Sequence, residues 1–223
     1  MTSHPHPLPP ASFRLRAALA TLGLAGAVLA CNLQSPPAVS GDVLFQDDFS
    51  RTFSGWDRYR DDVYSADYDT GGYRIKVLAP QTDAWANPGL DLFDVRIEFD
   101  ATKQSGPDDN TFGVLCRYQD ARNFYFFLLS SDGYTGIGIS IGGRRMLLSG
   151  DTMYPSGAVL LGNATNHIRA DCIGFQLALY VNGILVAQSQ SSQWASGDVG
   201  LTAGTYAEPG VDILFSNFSV IQP

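Results

Sequence analysis

Three places in this sequence carry residues whose type and spacing could do chemistry. The first is Cys31, which ends an uncharged run and follows the small residue Ala30. A sulfur there is placed for acylation at a cleavage point. The second is Glu98 and Asp100 in the segment RIEFDA. Carboxylates at i and i+2 share one face of a strand, and a retaining glycosidase needs two of them about 5 Å apart. The third is the segment RYQDARNFY over residues 117–125. Arg117, Tyr118, Gln119, Asp120, Asn123 and Tyr125, joined by Trp85, Tyr134, Arg144 and Arg145 from neighbouring loops, have the makings of a sugar site. A flat aromatic packs on the C–H face of a pyranose, and Arg, Asp and Asn bind its hydroxyls. A plainer account competes: Asp120 and Asn123 as turn formers, Arg117 with Asp120 as a local ion pair, and Phe124, Phe126 and Leu128 as core.

Other chemistries lack their residues. No CxxC or HExxH occurs, and His167 is the only histidine after residue 30, which argues against a transition-metal site. A lone imidazole on the polar face of a strand is ordinarily solvated, and it supports no Ser-His-Asp arrangement.

The cysteine at 31 is explained by what precedes it. Arg14 and Arg16 come before AALATLGLAGAVLA at 17–30. That run falls short of the roughly 20 residues that cross a bilayer and fits the apolar core of a signal peptide. The segment Val28-Leu29-Ala30-Cys31 resembles a bacterial lipobox. The resemblance implies diacylglycerol on the Cys31 sulfur, cleavage before it, and stable anchoring by more than one acyl chain. The alternative is an ordinary cleavage site with an incidental cysteine. Residues 1–30 are then a lipoprotein signal peptide. Residues 31–41 are the lipidated cysteine and a polar tether containing Pro36 and Pro37, and 42–223 are one domain. The expected address is the cell envelope, on the extracytoplasmic side of a bacterial membrane. Cys116 and Cys172 remain, as a disulfide in an oxidising compartment or as two separately buried thiols.

The charge narrows the partners. The formal charge of the 223-residue chain is −8. Residues 1–30 hold Arg14 and Arg16 and no acid, so their removal takes it to −10. A nucleic-acid footprint is basic, and so is a patch for anionic lipid; neither is expected here.

The elements that must position these residues are strands. Short β-rich runs at 73–78, 92–103, 111–118, 123–131, 134–141 and 145–148 are separated by Gly, Asp, Asn and Pro. Further runs lie at 167–172, 175–181, 184–189, 199–206 and 211–221. Asn182-Gly183 and Asp132-Gly133 mark hairpin turns. Ile168, Ala170 and Cys172 share one face of their run; Phe175, Leu177, Leu179 and Val181 share one face of the next. A strand beginning near Val43 is expected beside the one ending near Val220. The pattern is an all-β, antiparallel two-sheet β-sandwich.

Longer stretches sharpen the fold. They are LFQDDFS, DVRIEFDATK, GVLCRYQDARNFYFFLLSSDGYTGIGI, NHIRADCIGFQLALYVNGILVAQ, GDVGLTAGTY and VDILFSNFSV. In that order they resemble the concanavalin A-like jelly rolls of bacterial secreted proteins, in particular the laminin-G-like and 3-keto-disaccharide hydrolase-like groups. The resemblance implies a concave sheet face open to sugars. It also implies first and last strands side by side, which would bring Asp47, Asp48 and Asp212 together as hard oxygen ligands suited to calcium. Solvated acids are the alternative. In laminarinase-type relatives the catalytic strand carries Glu-x-Asp-x-x-Glu; here position 103 is Lys103, so the third acid is missing. One fold hosts many functions. The leading reading is a lipid-anchored, non-catalytic domain that binds carbohydrate or another cell-surface ligand. The alternatives are a glycoside-processing enzyme of the same fold and a structural interaction module of an envelope assembly.

Overall fold

The computed structural model describes residues 41–223, and every regular element within them is a β-strand. Cys31 and the signal lie outside the described residues. The strands are β1 (Val43–Asp47), β2 (Tyr59–Arg60), β3 (Tyr64–Asp69), β4 (Gly72–Val77), β5 (Asp83–Ala86), β6 (Val95–Ser105), β7 (Asn110–Asp120) and β8 (Asn123–Leu129). They continue with β9 (Tyr134–Ile141), β10 (Arg144–Leu147), β11 (Tyr154–Pro155), β12 (Asn166–Ile173), β13 (Gln176–Val181), β14 (Ile184–Gln190), β15 (Asp198–Thr205) and β16 (Val211–Ile221). Two antiparallel sheets result. Sheet A runs β14-β13-β12-β6-β16-β4-β3-β2, with β1 also on β16; sheet B runs β10-β9-β8-β7-β15-β5, with β11 on β9. This is the antiparallel sandwich that the strand pattern predicts. β1 lies on β16 as expected, with Phe45 opposite Val220.

The two sheets bury their faces differently. In β6, Val95, Ile97, Phe99 and Ala101 are buried while Arg96, Glu98, Asp100 and Thr102 are partly exposed. That is the period of two expected of a strand with one wet face. Sheet B breaks this rule. Every residue of β15 is buried, and so are residues 110–117 of β7. Its inner face meets sheet A through Phe112, Val114, Tyr125, Phe127 and Leu201. A second, separate cluster of Leu115, Phe124 and Phe126 covers its outer face. Strands buried on both faces read as continuous apolar runs, and NFYFFLL is such a run.

Cys116 on β7 and Cys172 on β12 form a disulfide that ties sheet B to sheet A. Asn182 and Gly183, at φ 51° and 82°, close the β13–β14 hairpin, as two left-handed residues in a tight turn should. Asp132-Gly133 does something else. It ends a longer connection from Leu129 to Tyr134, in which the Ser130 and Tyr134 backbones bond and Gly133 is left-handed at φ 102°. The tight two-residue turn next along the chain is Gly142-Gly143, between β9 and β10.

Candidate functional site

The outer face of sheet B carries the site. β8 decides its character. Phe124, Phe126 and Leu128 point outward, while Tyr125, Phe127 and Leu129 point into the sandwich. The neighbouring β9 presents small residues to the same face. Phe124 pairs with Ser140, Phe126 with Gly138 and Leu128 with Gly136. Across β9, Ser140 pairs with Arg145 and Gly138 with Leu147. The sequence YTGIGISI thus alternates core isoleucines with outward residues too small to block their neighbours. A Cβ at Gly138 would come within 2.1 Å of the Phe126 ring, so the ring lies over that strand. Arg145 reaches across Ser140. Its guanidinium sits 5.6 Å from the centre of the Phe124 ring and 5.9 Å from that of Trp85.

β5 supplies the rest from the opposite edge of the sheet. In Asp83-Ala84-Trp85-Ala86 the two alanines are buried and Asp83 and Trp85 point outward. Trp85 packs against Phe124 with ring centres 5.8 Å apart, and Tyr118 stacks on the same phenylalanine at 5.8 Å. The indole Nε1–H of Trp85 reaches Tyr118 Oη at 3.4 Å. Asp83 forms an ion pair with Arg145. This carboxylate lies against Gly204 of β15, where a Cβ would come within 2.1 Å of Asp83 Oδ1.

Asp83 and Arg145 also border a cleft of about 490 Å³, with Thr111, Phe126 and Tyr206 in its wall. A neighbouring recess shares Tyr206 and adds Asp109 and Asp132. Burial pushes the Tyr206 phenol above its ordinary range, and Asp109, Asp83 and Asp132 add to the shift. Burial likewise raises Tyr118. Both phenols are therefore neutral hydroxyls that donate and accept. The cleft offers aromatic surface, neutral hydroxyls, one guanidinium and several carboxylates. That composition suits a neutral, hydroxyl-rich ligand.

Of the residues singled out in the sequence, Trp85, Tyr118 and Arg145 belong to this site, and Tyr134 lines the neighbouring recess. Tyr125 does not belong to the site. It is fully buried and faces inward, where its hydroxyl bonds Ser191 Oγ at 2.8 Å and accepts the backbone N–H groups of Gln193 and Trp194. Phe124 and Phe126 are buried as core, as expected, with Leu128 packed against them, but in the second cluster on the outer face of the sheet, because adjacent residues of a strand face opposite ways. Arg117 is only 2 % exposed. A bulge after Cys116, with Arg117 at φ 49°, turns its side chain inward. There Nη1 donates to Trp194 O at 2.8 Å and Nη2 to Asp94 Oδ1 at 3.1 Å. Asp120 and Asn123 are turn residues. Asp120 Oδ1 accepts from the Arg122 N–H and from Asn123 Nδ2, and these bonds hold its carboxyl below the usual range. Arg144 is exposed beside the Gly142-Gly143 turn, and its neighbour Arg145 reaches the aromatic cluster instead.

The two carboxylate groupings lie elsewhere. Glu98 and Asp100 are on the outer face of sheet A. Asp100 Oδ1 lies 2.8 Å from His167 Nδ1, and Oδ2 accepts from Asn217 Nδ2 at 2.7 Å. Lys103 bonds the Gly106 carbonyl and pairs with Asp108. Asp48 is exposed and caps the Ser50 N–H. Asp212 receives Arg74 Nε and Nη2, each at 2.7 Å, so its charge is matched by a guanidinium. β1 pairs with the far end of β16, Asp47 opposite Phe218, which leaves Asp212 six residues down the strand. Asp47 itself is used inside the sandwich, where it accepts the Phe49 N–H and the Trp56 indole N–H. Among the described residues, no group of three or more His, Cys, Asp or Glu gathers where it could hold a metal ion.

Asp83 and Tyr206 are absent from the sequence-predicted site; the alternation in DAWA is the signal that points to Asp83.

No family model matches the chain, and no curated protein matches it. Solved structures do. The carbohydrate-binding module CBM66 from Bacillus subtilis superposes with a TM-score of 0.62 at 16 % identity, over 75 % of this chain and 96 % of that one. A protein of unknown function with a galectin-like fold from Bacillus subtilis gives 0.59 at 11 %, over 82 % and 97 %. A GH16 protein of a mixed-linkage glucan locus from Bacteroides ovatus gives 0.58 at 9 %, over 80 % and 100 %. At such identities the likeness is one of fold, and the fold is the concanavalin A-like jelly-roll sandwich.

Proposed function

We propose that this protein is a lipid-anchored, extracytoplasmic sandwich that binds carbohydrate without cleaving it, on the outer face of sheet B. The observation that carries the reading is the cluster of Trp85, Tyr118 and Phe124 leading to the Asp83–Arg145 pair and the cleft beside it. The partly exposed rings of Trp85 and Tyr118, backed by the buried Phe124, match the apolar side of a sugar, while the ion pair and the two phenols match its hydroxyls. Hydrolysis would call for two carboxylates converging on the bound bond. Asp83 is held by Arg145, and Glu98 with Asp100 lie on the other sheet. The anchor rests on Cys31 and the run before it.

The test is affinity electrophoresis and calorimetry of the mature protein against a panel of soluble polysaccharides. Trp85→Ala and Gly204→Ala should each weaken binding roughly tenfold or more, the second by displacing the Asp83 carboxylate. Binding to no polysaccharide would overturn the reading. Release of reducing sugar by the wild-type protein would favour a glycoside-processing enzyme. Labelled fatty acid should enter the wild-type protein in cells and not the Cys31→Ser variant.

A further inference from the structure

A second recess lies at the opposite end of β7. Thr111 lines the cleft and Arg117 lines the recess, six residues apart and thus roughly 20 Å along the strand. The recess holds about 190 Å³. Its rim is built from the segment before β6 (Phe93, Asp94), the β12–β13 turn (Phe175) and the loop after β14 (Trp194).

Three features of this recess are unexplained by the fold. The Arg117 Nε–H is buried and has no hydrogen-bond partner among the described residues, an arrangement that costs free energy until an acceptor arrives. Asp94 is half-exposed at the rim. Its Oδ1 takes Arg117 and the Gly174 N–H, while Oδ2 takes no hydrogen bond among the described residues. Phe93 and Phe175 stand 68 % and 66 % exposed and line the same recess as Arg117.

We infer that this recess is a second glycan site, which takes a single neutral sugar ring. Its volume is below the roughly 300 Å³ at which pockets for larger ligands begin, so it accommodates one ring and not a chain. The exposed phenylalanines offer flat apolar faces to the C–H side of that ring. The Arg117 Nε–H donates to a ring or hydroxyl oxygen, and Asp94 Oδ2 accepts a sugar hydroxyl. Neutrality follows from charge. The Arg117 guanidinium is already matched by Asp94, and a mature chain of formal charge −10 repels an anion. The site is separate from the cleft, and a protein with both would hold a glycan end and a glycan chain at once, raising apparent affinity through effective concentration.

The experiment is a titration of the isotope-labelled mature protein with methyl glycosides of glucose, galactose, mannose, xylose and N-acetylglucosamine, followed at the Arg117 side-chain Nε–H signal. At least one glycoside should shift that signal and the Gly174 and Phe175 amides to saturation. The exposed Phe175→Ala should weaken this roughly tenfold, while Trp85→Ala leaves it intact. No shift with any glycoside overturns the inference. So does a shift indifferent to Phe175→Ala, or one produced only by methyl glucuronide. Loss of polysaccharide binding in Trp85→Ala with the Arg117 response preserved would locate the chain-binding cleft apart from the recess. Failure of the cleft alone therefore leaves the recess standing, and failure of the recess leaves the cleft.

Discussion

Removing the Cys116–Cys172 cross-link should destabilise the sandwich chiefly through its unfolded state. The bonded residues are 56 apart in sequence. Closing a loop of that size withholds roughly 14 cal/mol/K of entropy from the unfolded chain, about 4 kcal/mol near room temperature. For a domain of this size the melting temperature should fall by roughly 10 °C. Both sulfurs are fully buried, so alanine also removes a little packing. Urea unfolding separates the two contributions. The double Cys116→Ala/Cys172→Ala variant should show a lower midpoint and a larger m-value, because the uncrosslinked chain exposes more surface when unfolded. Each single variant should cost nearly as much as the pair, since either one abolishes the bond. Single variants whose small costs simply add, with m unchanged, would refute the reasoning. They would mean that no bond closes this loop in solution, and that the two thiols are merely packed.

Tyr125→Phe keeps the buried ring and deletes the hydroxyl that binds Ser191, Gln193 and Trp194. It should cost about 1–3 kcal/mol and speed hydrogen exchange at the Gln193 and Trp194 amides, without touching polysaccharide binding. The Arg58 guanidinium bonds Asp67 at 2.7 Å and holds its carboxyl below the usual aspartate range. A depressed folded pKa stabilises above the unfolded pKa, and that share is lost as pH falls through the folded value. Arg58→Gln should move the Asp67 midpoint upward in an NMR pH titration and flatten that part of the acid limb. The pair is largely exposed, so the effect on overall stability should be small.

Much of this protein is legible before folding. The strand pattern and the Asn182-Gly183 hairpin follow from local chemistry. β-branched and aromatic runs extend, left-handed turns need Asn and Gly, and a face wetted on one side alternates. β6 and β12 could be read this way, so Glu98, Asp100 and His167 stood on the polar face in sequence as they do in space. The short strands β3 and β5 were missed, since YSADYD and DAWA are too polar or too brief to stand out.

Only the tertiary structure could assign the faces of sheet B. Alternation reveals which side is core when the other side is wet, and NFYFFLL is covered on both sides. Its parity is silent, so Tyr125 and Phe124 exchange roles once neighbouring strands are in place. A bulge makes the same point at Arg117: two extra residues on β7 opposite β8 turn a side chain expected at the surface into a buried tie between the sheets. Asp83, Trp85, Tyr118, Arg145 and Tyr206 come from distant segments, and pairing across β5, β15, β7, β8, β9 and β10 brings them to one surface. The types of residue that could hold a sugar were written in the chain, but which of them face the same way was settled by strand register, where a shift of one residue moves a side chain to the other side.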